Sequence, residues 1–274
     1  MAKRILVAVI FVPILLVIML LLPPIVWTVV VMFISAMACF ELLRATGEGR
    51  VSFPMRAVSI LSAAVLPLCF WAGVGEMAAG VCAFVVTAVS FWCAIRDYDE
   101  GDTTIGFFQV LLTLFGGVLI PLALSALVAI KCMEHGQYLV LLAVLLAFIT
   151  DGGAYFAGVF LGKHRGVTRV SPNKSMEGYL GGFATGVVFA LVYGLVVHAA
   201  AGLEVNYLSL ALCGLLGALA TELGDLAFSF IKRQYGVKDY GHLLPGHGGM
   251  LDRFDSMIFC APVVLFIVLC LPVF

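Results

Sequence analysis

The sequence predicts an all-α, polytopic integral membrane protein of about nine transmembrane helices, oriented N-in and C-out, and three observations carry that prediction. Of its 274 residues, 63% are hydrophobic and only 11% are charged, and the mean hydropathy is +1.16, far from the composition of a soluble domain. Apolar runs close to the length that crosses a bilayer recur along the whole chain. The cations are crowded into alternate connectors, which is the distribution that sets membrane orientation.

Taken in order, the runs fall at roughly 5–22, 25–43, 58–74, 77–95, 105–130, 138–161, 179–200, 207–231 and 257–274. With a cytoplasmic N-terminus, nine spans place Lys3, Arg4, Arg44, Arg50, Arg56, Arg96, Lys163, Arg165, Arg169, Lys174, Lys232, Arg233, Lys238 and Arg253 on the cytoplasmic side. Of the 15 Lys and Arg, only Lys131 is left outside. Removing one internal span would invert every later connector and destroy this asymmetry. The net charge of -1 carries no such information, because it is only a sum.

The opening MAKR and its apolar run resemble a signal peptide, but Pro23-Pro24 stands where small cleavage-site residues belong, so the run reads as a retained span. The first half is poor in charge and reads as helical scaffold, residues 1–135, with Glu41 as an interfacial acid near a span end. The tract RDYDEGDTT, 96–104, reads as a solvated connector, and Pro121 predicts a kink in the fifth span. The eight cysteines are scattered through apolar runs without metal-ligand spacing and read as small buried hydrophobes. One membrane domain, 1–274, is the simplest division, with 136–274 carrying the chemistry.

That second part differs in kind. Asp151 lies deep in the sixth span, followed by Gly152, Gly153, Gly158 and Gly162, which suits close helix packing around an intramembrane acid. The connector KHRGVTRVSPNKSMEG, 163–178, brings four cations, and Ser171 or Asn173 is placed to cap the next helix with Glu177 in its first turn. Ser229–Ser256 is then a polar island holding Lys232, Arg233, Lys238, Asp239, His242, His247, Asp252, Arg253 and Asp255. Glu222 and Asp225 precede it at i, i+3 and share a helix face, as Asp252 and Asp255 do if helical.

Carboxylates beside a bilayer require a compensating cation. Asp225, Asp252 and Asp255 offer the hard oxygen ligands that Mg²⁺ takes together with substrate phosphates, with Glu222 as a supporting or alternate ligand. Lys232, Arg233, Lys238 and Arg253 suit phosphate neutralisation, and phosphoryl or nucleotidyl transfer needs no protein nucleophile. The turn LPGHGGM, 244–250, supplies Gly248 and Gly249 where amides can approach an anion, although it is neither a P-loop nor a dinucleotide fingerprint. His242 and His247 are a poor zinc pair, with Pro245 between them.

These residues, Ser229-x-x-Lys232-Arg233, Lys238-Asp239, PGHGG over 245–249 and Asp252-Arg253-x-Asp255, together resemble the phosphatidate cytidylyltransferase (CDP-diacylglycerol synthase) family. SPNKSMEG over 171–178 and DGGAY over 151–155 are similar to that family's preceding elements. Asn173 stands where a basic residue is expected, a mild departure. The motifs cover about 145–260.

The resemblance implies an inner-membrane enzyme of bacterial type, its site facing the cytoplasm, that joins CTP and phosphatidic acid into CDP-diacylglycerol and pyrophosphate with Mg²⁺. One or two divalent ions, or an added monovalent ion, are compatible with it, as is a homodimer, and no nucleic acid is involved. Carried over by position, it makes Asp225 and Asp252 metal ligands with Asp255 beside them. Lys232, Arg233, Lys238, Asp239, His247, Gly248, Gly249 and Arg253 then frame the phosphates, and Ser171, Lys174, Glu177 and Asp151 close the site from the other side. Two rival readings are a nucleotidyltransferase for another lipid phosphate and an ion-coupled transporter using Asp151, Glu222 and Asp225.

Overall fold

A computed structural model describes residues 13–243 and 248–274. Among them there is no β-strand, only one antiparallel bridge between Arg165 and Ser175. Eight helices are long and apolar enough to span a bilayer. They are α1 (Pro24–Thr46), α2 (Phe53–Trp71), α3 (Gly75–Asp99), α4 (Phe107–Cys132), α5 (Gly136–Phe160), α6 (Met176–Ala201), α7 (Tyr207–Gln234) and α8 (Leu251–Cys270). A helical run at 13–20 precedes them. The first part of the expected first span, residues 5–12, lies outside the described residues. Phe84, Leu180 and Phe266 are 74%, 61% and 68% exposed, as side chains that meet lipid must be. This is an integral membrane protein.

The chain divides into two compact units, one of Met1–Cys132 with Gln234–Phe254 and one of Met133–Arg233 with Asp255–Phe274. In the first, Pro24 opens α1 at a position where a missing N–H costs nothing, and Trp27 is buried with Nε1 donating to Leu127 O at 3.3 Å. The expected irregularity at Pro121 is a π-helical segment, Phe115–Leu119, inside α4. Pro121 has no N–H for the carbonyl of Gly117, four residues back, and Ser62 Oγ donates to it instead at 2.8 Å. A Cβ at Gly117 would sit 2.9 Å from Ser59 Cα, so glycine permits α2 to pass this close. Lys131 is buried and donates to Met19 O, a last-turn cation neutralising a carbonyl.

The second unit is built on small residues. Gly178, Gly182, Gly186, Ala190 and Gly194 recur every four residues and are all buried on α6, forming one stripe along the helix. A Cβ at Gly181 would strike Ala157 of α5, and one at Gly214 of α7 would lie 2.7 Å from Val187 Cα. Backbones packed this closely replace the hydrophobic drive that lipid withholds. On α7, Gly224 leaves room for the α8 backbone at Asp255 and Ser256.

Helix α8 starts at Leu251, six residues before the expected 257. Its first turn is polar and escapes a hydropathy window, yet an Asp there favours the helix start through the macrodipole.

Candidate active site

In the second unit, a cleft of about 400 Å³ opens between α5, α6, α7 and the 161–175 connector, lined by Asp151, Tyr155, Arg165, Asn173, Lys174, Tyr179, Glu222 and Asp225 among others. Lys174 Nζ lies 2.6 Å from Glu222 Oε2 and 2.6 Å from Asp225 Oδ2, and 5.2 Å from the Tyr179 ring centroid. Burial disfavours the Lys174 charge, but the carboxylates of Asp225 and Glu222 outweigh it and hold its pKa above the ordinary lysine value. Glu222 is 3% exposed. Its Oε1 is buried without a hydrogen-bond partner, against Gly182, where a Cβ would come within 3.0 Å.

The connector that presents Lys174 is closed on itself. Gly166 N–H donates to Pro172 O and Met176 N–H to His164 O, both at 3.1 Å. Ser175, not Ser171 or Asn173, caps α6, its Oγ accepting from Gly178 N at 3.1 Å. Ser171 is held in the Ser-Pro turn instead, its carbonyl accepting from Lys174 N at 3.1 Å. Ser171 N–H donates to Thr168 Oγ1 at 3.3 Å.

Glu177 stands in the first turn of α6 as expected. Its carboxylate accepts from the Lys163 and His164 amides and pairs with His164 Nδ1 at 2.5 Å. It therefore folds the connector, and neither Glu177 nor Ser171 is among the residues lining the cleft. Arg233 Nε donates to Val170 O at 3.4 Å, tying the end of α7 to the same connector. Asp151 Oδ2 accepts from Ser256 Oγ at 3.0 Å, and Asp255 Oδ1 from Ser256 N at 2.8 Å. Lys232 Nζ lies 4.0 Å from Asp255 Oδ2. The second unit thus brings Asp151, Lys174, Asp225, Lys232, Arg233 and Asp255 into bonded contact with its helices and connector.

The first unit holds the remaining candidates. Asp252 Oδ2 accepts from Tyr240 N at 2.8 Å and Gly249 N at 3.0 Å. Gly248 has φ of +83°, and a Cβ there would lie 3.2 Å from Asp252 Oδ2 and 3.4 Å from Asp239 Oδ1. Gly248 therefore packs against two acids at a φ that favours glycine. Lys238, Asp239 and Arg253 are exposed on this segment. His247 lies outside the described residues.

Glu41 overturns the expectation of an interfacial acid. It is 2% exposed and accepts from Leu251 N at 2.8 Å through Oε2. Arg44, one turn on, donates to Tyr240 O at 3.1 Å. The available signal was an acid inside a span with an Arg three residues later, the same intramembrane charge that singles out Asp151.

Among the described residues, no three or more His, Cys, Asp and Glu side chains are gathered as a metal cluster. The ammonium of Lys174 stands between two of the candidate carboxylates instead. The donors still suit a hard cation, since they are carboxylate oxygens and one of them, Glu222 Oε1, is buried without a partner.

The profile of the cytidylyltransferase family matches residues 2–271. The chain is similar to the phosphatidate cytidylyltransferase of Bacillus subtilis (strain 168), 31% identical over 245 residues that cover 88% of each protein. It is also similar to that of Mycobacterium bovis, 30% identical over 256 residues, 91% of this chain and 82% of the relative. Over 131 residues, 48% of this chain and 49% of the relative, it is 41% identical to a Staphylococcus epidermidis phosphatidate cytidylyltransferase. A family match running nearly end to end, with relatives of this coverage, leads to one conclusion: the chain belongs to the cytidylyltransferase family.

Proposed function

We propose that the protein is the enzyme that joins CTP to phosphatidic acid, releasing pyrophosphate and forming CDP-diacylglycerol. The observation that carries the site assignment is the Lys174 ammonium held 2.6 Å from both Glu222 and Asp225 beside the cleft. An anionic substrate and its counter-cation require such balanced charge close to the bilayer.

In this reading a lipid phosphate oxygen attacks the α-phosphorus of CTP in line. A new P–O bond forms there, the bond from the α-phosphorus to the bridging oxygen breaks, and pyrophosphate departs with that electron pair. Lys232, Arg233, Lys238 and Arg253 neutralise phosphate charge, Arg in a bidentate manner. Lys174 balances the charge of Glu222 and Asp225 and holds them in place until substrate enters. The Gly249 amide holds Asp252 Oδ2 in place, and Gly248 beside it offers a backbone amide to an anion. Asp225 and Asp255 in the second unit, and Asp252 in the first, are each the type of ligand that would hold Mg²⁺, which when bound supplies charge neutralisation on phosphate oxygens.

The orientation in this reading is N-in and C-out in a bacterial inner membrane, with the site open to the cytoplasm, where CTP is available. That rests on the alternation of the cations. A homodimer is compatible with it, and no nucleic acid takes part.

The test is direct. Protein purified in detergent, given phosphatidic acid, labelled CTP and Mg²⁺, yields labelled CDP-diacylglycerol and pyrophosphate. Product with another lipid phosphate but none with phosphatidic acid would redirect the substrate. No product across detergents, with cation uptake in vesicles, would favour transport.

A further inference from the structure

We infer that Glu41, in the N-terminal helix α1, is a positioning residue for the glycine-rich segment that carries Asp239, Gly248, Gly249 and Asp252. The inference rests on the reading that this segment binds the nucleotide, and it assigns the segment's shape to a carboxylate about two hundred residues away in sequence.

The contacts form a closed circuit. Glu41 Oε2 takes the amide of Leu251 at 2.8 Å, 210 residues distant. Leu251 opens α8, so its N–H is one of those a helix start leaves unpaired, and a carboxylate there also meets the positive end of the helix dipole. A Cβ on either Gly241 or Gly249 would collide with the Glu41 carboxylate. Both glycines therefore lie flat against it, one at each end of the segment. Arg44 holds the carbonyl of Tyr240 at 3.1 Å, while Tyr240 N and Gly249 N both donate to Asp252 Oδ2. Tyr240 is itself buried.

A carboxylate 2% exposed in a membrane helix is costly unless its oxygens are engaged. Here it acts as a mould. Gly241 and Gly249 pack against Glu41, and that packing sets which way Asp252 and the Gly248–Gly249 amides face. Helix α1 is in this respect part of the binding machinery and not only packing.

The experiment compares Glu41→Gln, Glu41→Asp and Glu41→Ala with the parent in lipid nanodiscs. The first readout needs neither metal nor substrate: amide hydrogen exchange of 240–252. The inference expects Glu41→Asp, too short by one methylene to reach Leu251, and Glu41→Ala to lose about tenfold or more protection confined to that segment. Glu41→Gln keeps an acceptor and most of the protection.

The second readout is kinetic. Glu41→Asp raises the KM for CTP and the Mg²⁺ concentration at half-maximal rate by about fivefold or more, leaves the KM for phosphatidic acid unchanged, and Glu41→Gln stays near the parent. If Glu41→Ala does not insert, Glu41→Asp and Glu41→Gln decide between them. Parent-like exchange and constants in Glu41→Asp would overturn the inference, as would Glu41→Gln failing as Glu41→Asp does. An active Asp252→Asn would instead remove the reading of the segment as the nucleotide site, whatever Glu41 does.

Discussion

Lys174 Nζ stands 2.6 Å from Asp225 Oδ2, and the same ammonium is 2.6 Å from Glu222 Oε2. One cation from a connector thus neutralises two acids spaced i, i+3 on α7. Removing it by Lys174→Met leaves two adjacent carboxylates uncompensated, which for a partly buried cluster costs about 1–3 kcal/mol. The thermal midpoint in detergent falls by several degrees and turnover falls by about 100-fold. Adding Glu222→Gln to Lys174→Met recovers much of the midpoint without recovering turnover. A double variant no more stable than the single would show that the charge cluster is not what Lys174 holds together.

The same lysine sets a pH dependence. Its pKa is raised in the folded protein. Its stabilisation is therefore fully present below the ordinary lysine value of about 10.4 and is lost as pH rises through the higher folded value. Between about pH 6 and pH 9 the gap in midpoint between parent and Lys174→Met stays constant, and only above about pH 10 does it narrow. Thermal scans across that range check this.

Gly214 and Gly152 make opposite forecasts. A Cβ at Gly214 meets Val187 Cα at 2.7 Å and Gly186 O at 2.9 Å, both backbone atoms that cannot swing aside. Gly214→Ala destabilises the second unit by about 1–3 kcal/mol as α6 and α7 are forced apart. Gly152 has nothing within 4 Å of its Cβ position, and Gly152→Ala on a helix gains up to about 1 kcal/mol. Unfolding of both variants in mixed detergent separates the two outcomes.

At Gly248 the φ of +83° and the nearby carboxylates combine. Gly248→Ala strains the backbone by about 1–2 kcal/mol and crowds Asp252, so the KM for CTP rises while that for phosphatidic acid holds. An unchanged KM for CTP would detach this turn from the nucleotide.

Much of this was legible in the sequence. Apolar run lengths placed the internal spans to within a few residues, because a bilayer imposes a length and leaves few alternatives. Glu222 and Asp225 were visible as a pair since helix geometry fixes what i, i+3 means, and the serine-proline connector named Lys174. What escaped were contacts closed by tertiary structure. Ser175 caps α6 because Ser171 and Lys174 close a turn ahead of it, Glu177 turns back onto its own connector, and Glu41 meets Leu251 across 210 residues that no local pattern links. The start of α8 was hidden because charges in a first turn look like loop to a hydropathy window.

Carboxylates acting as cation ligands are the central feature of the proposed site, and Mn²⁺, a spin-bearing substitute for Mg²⁺, reports on them without turnover. Electron paramagnetic resonance titration of purified protein with CTP present should show saturable Mn²⁺ binding in the parent, weakened by about 100-fold or more in Asp225→Asn and in Asp252→Asn, each still inserted and folded. Parent-like Mn²⁺ binding in either variant would contradict the assignment of that aspartate.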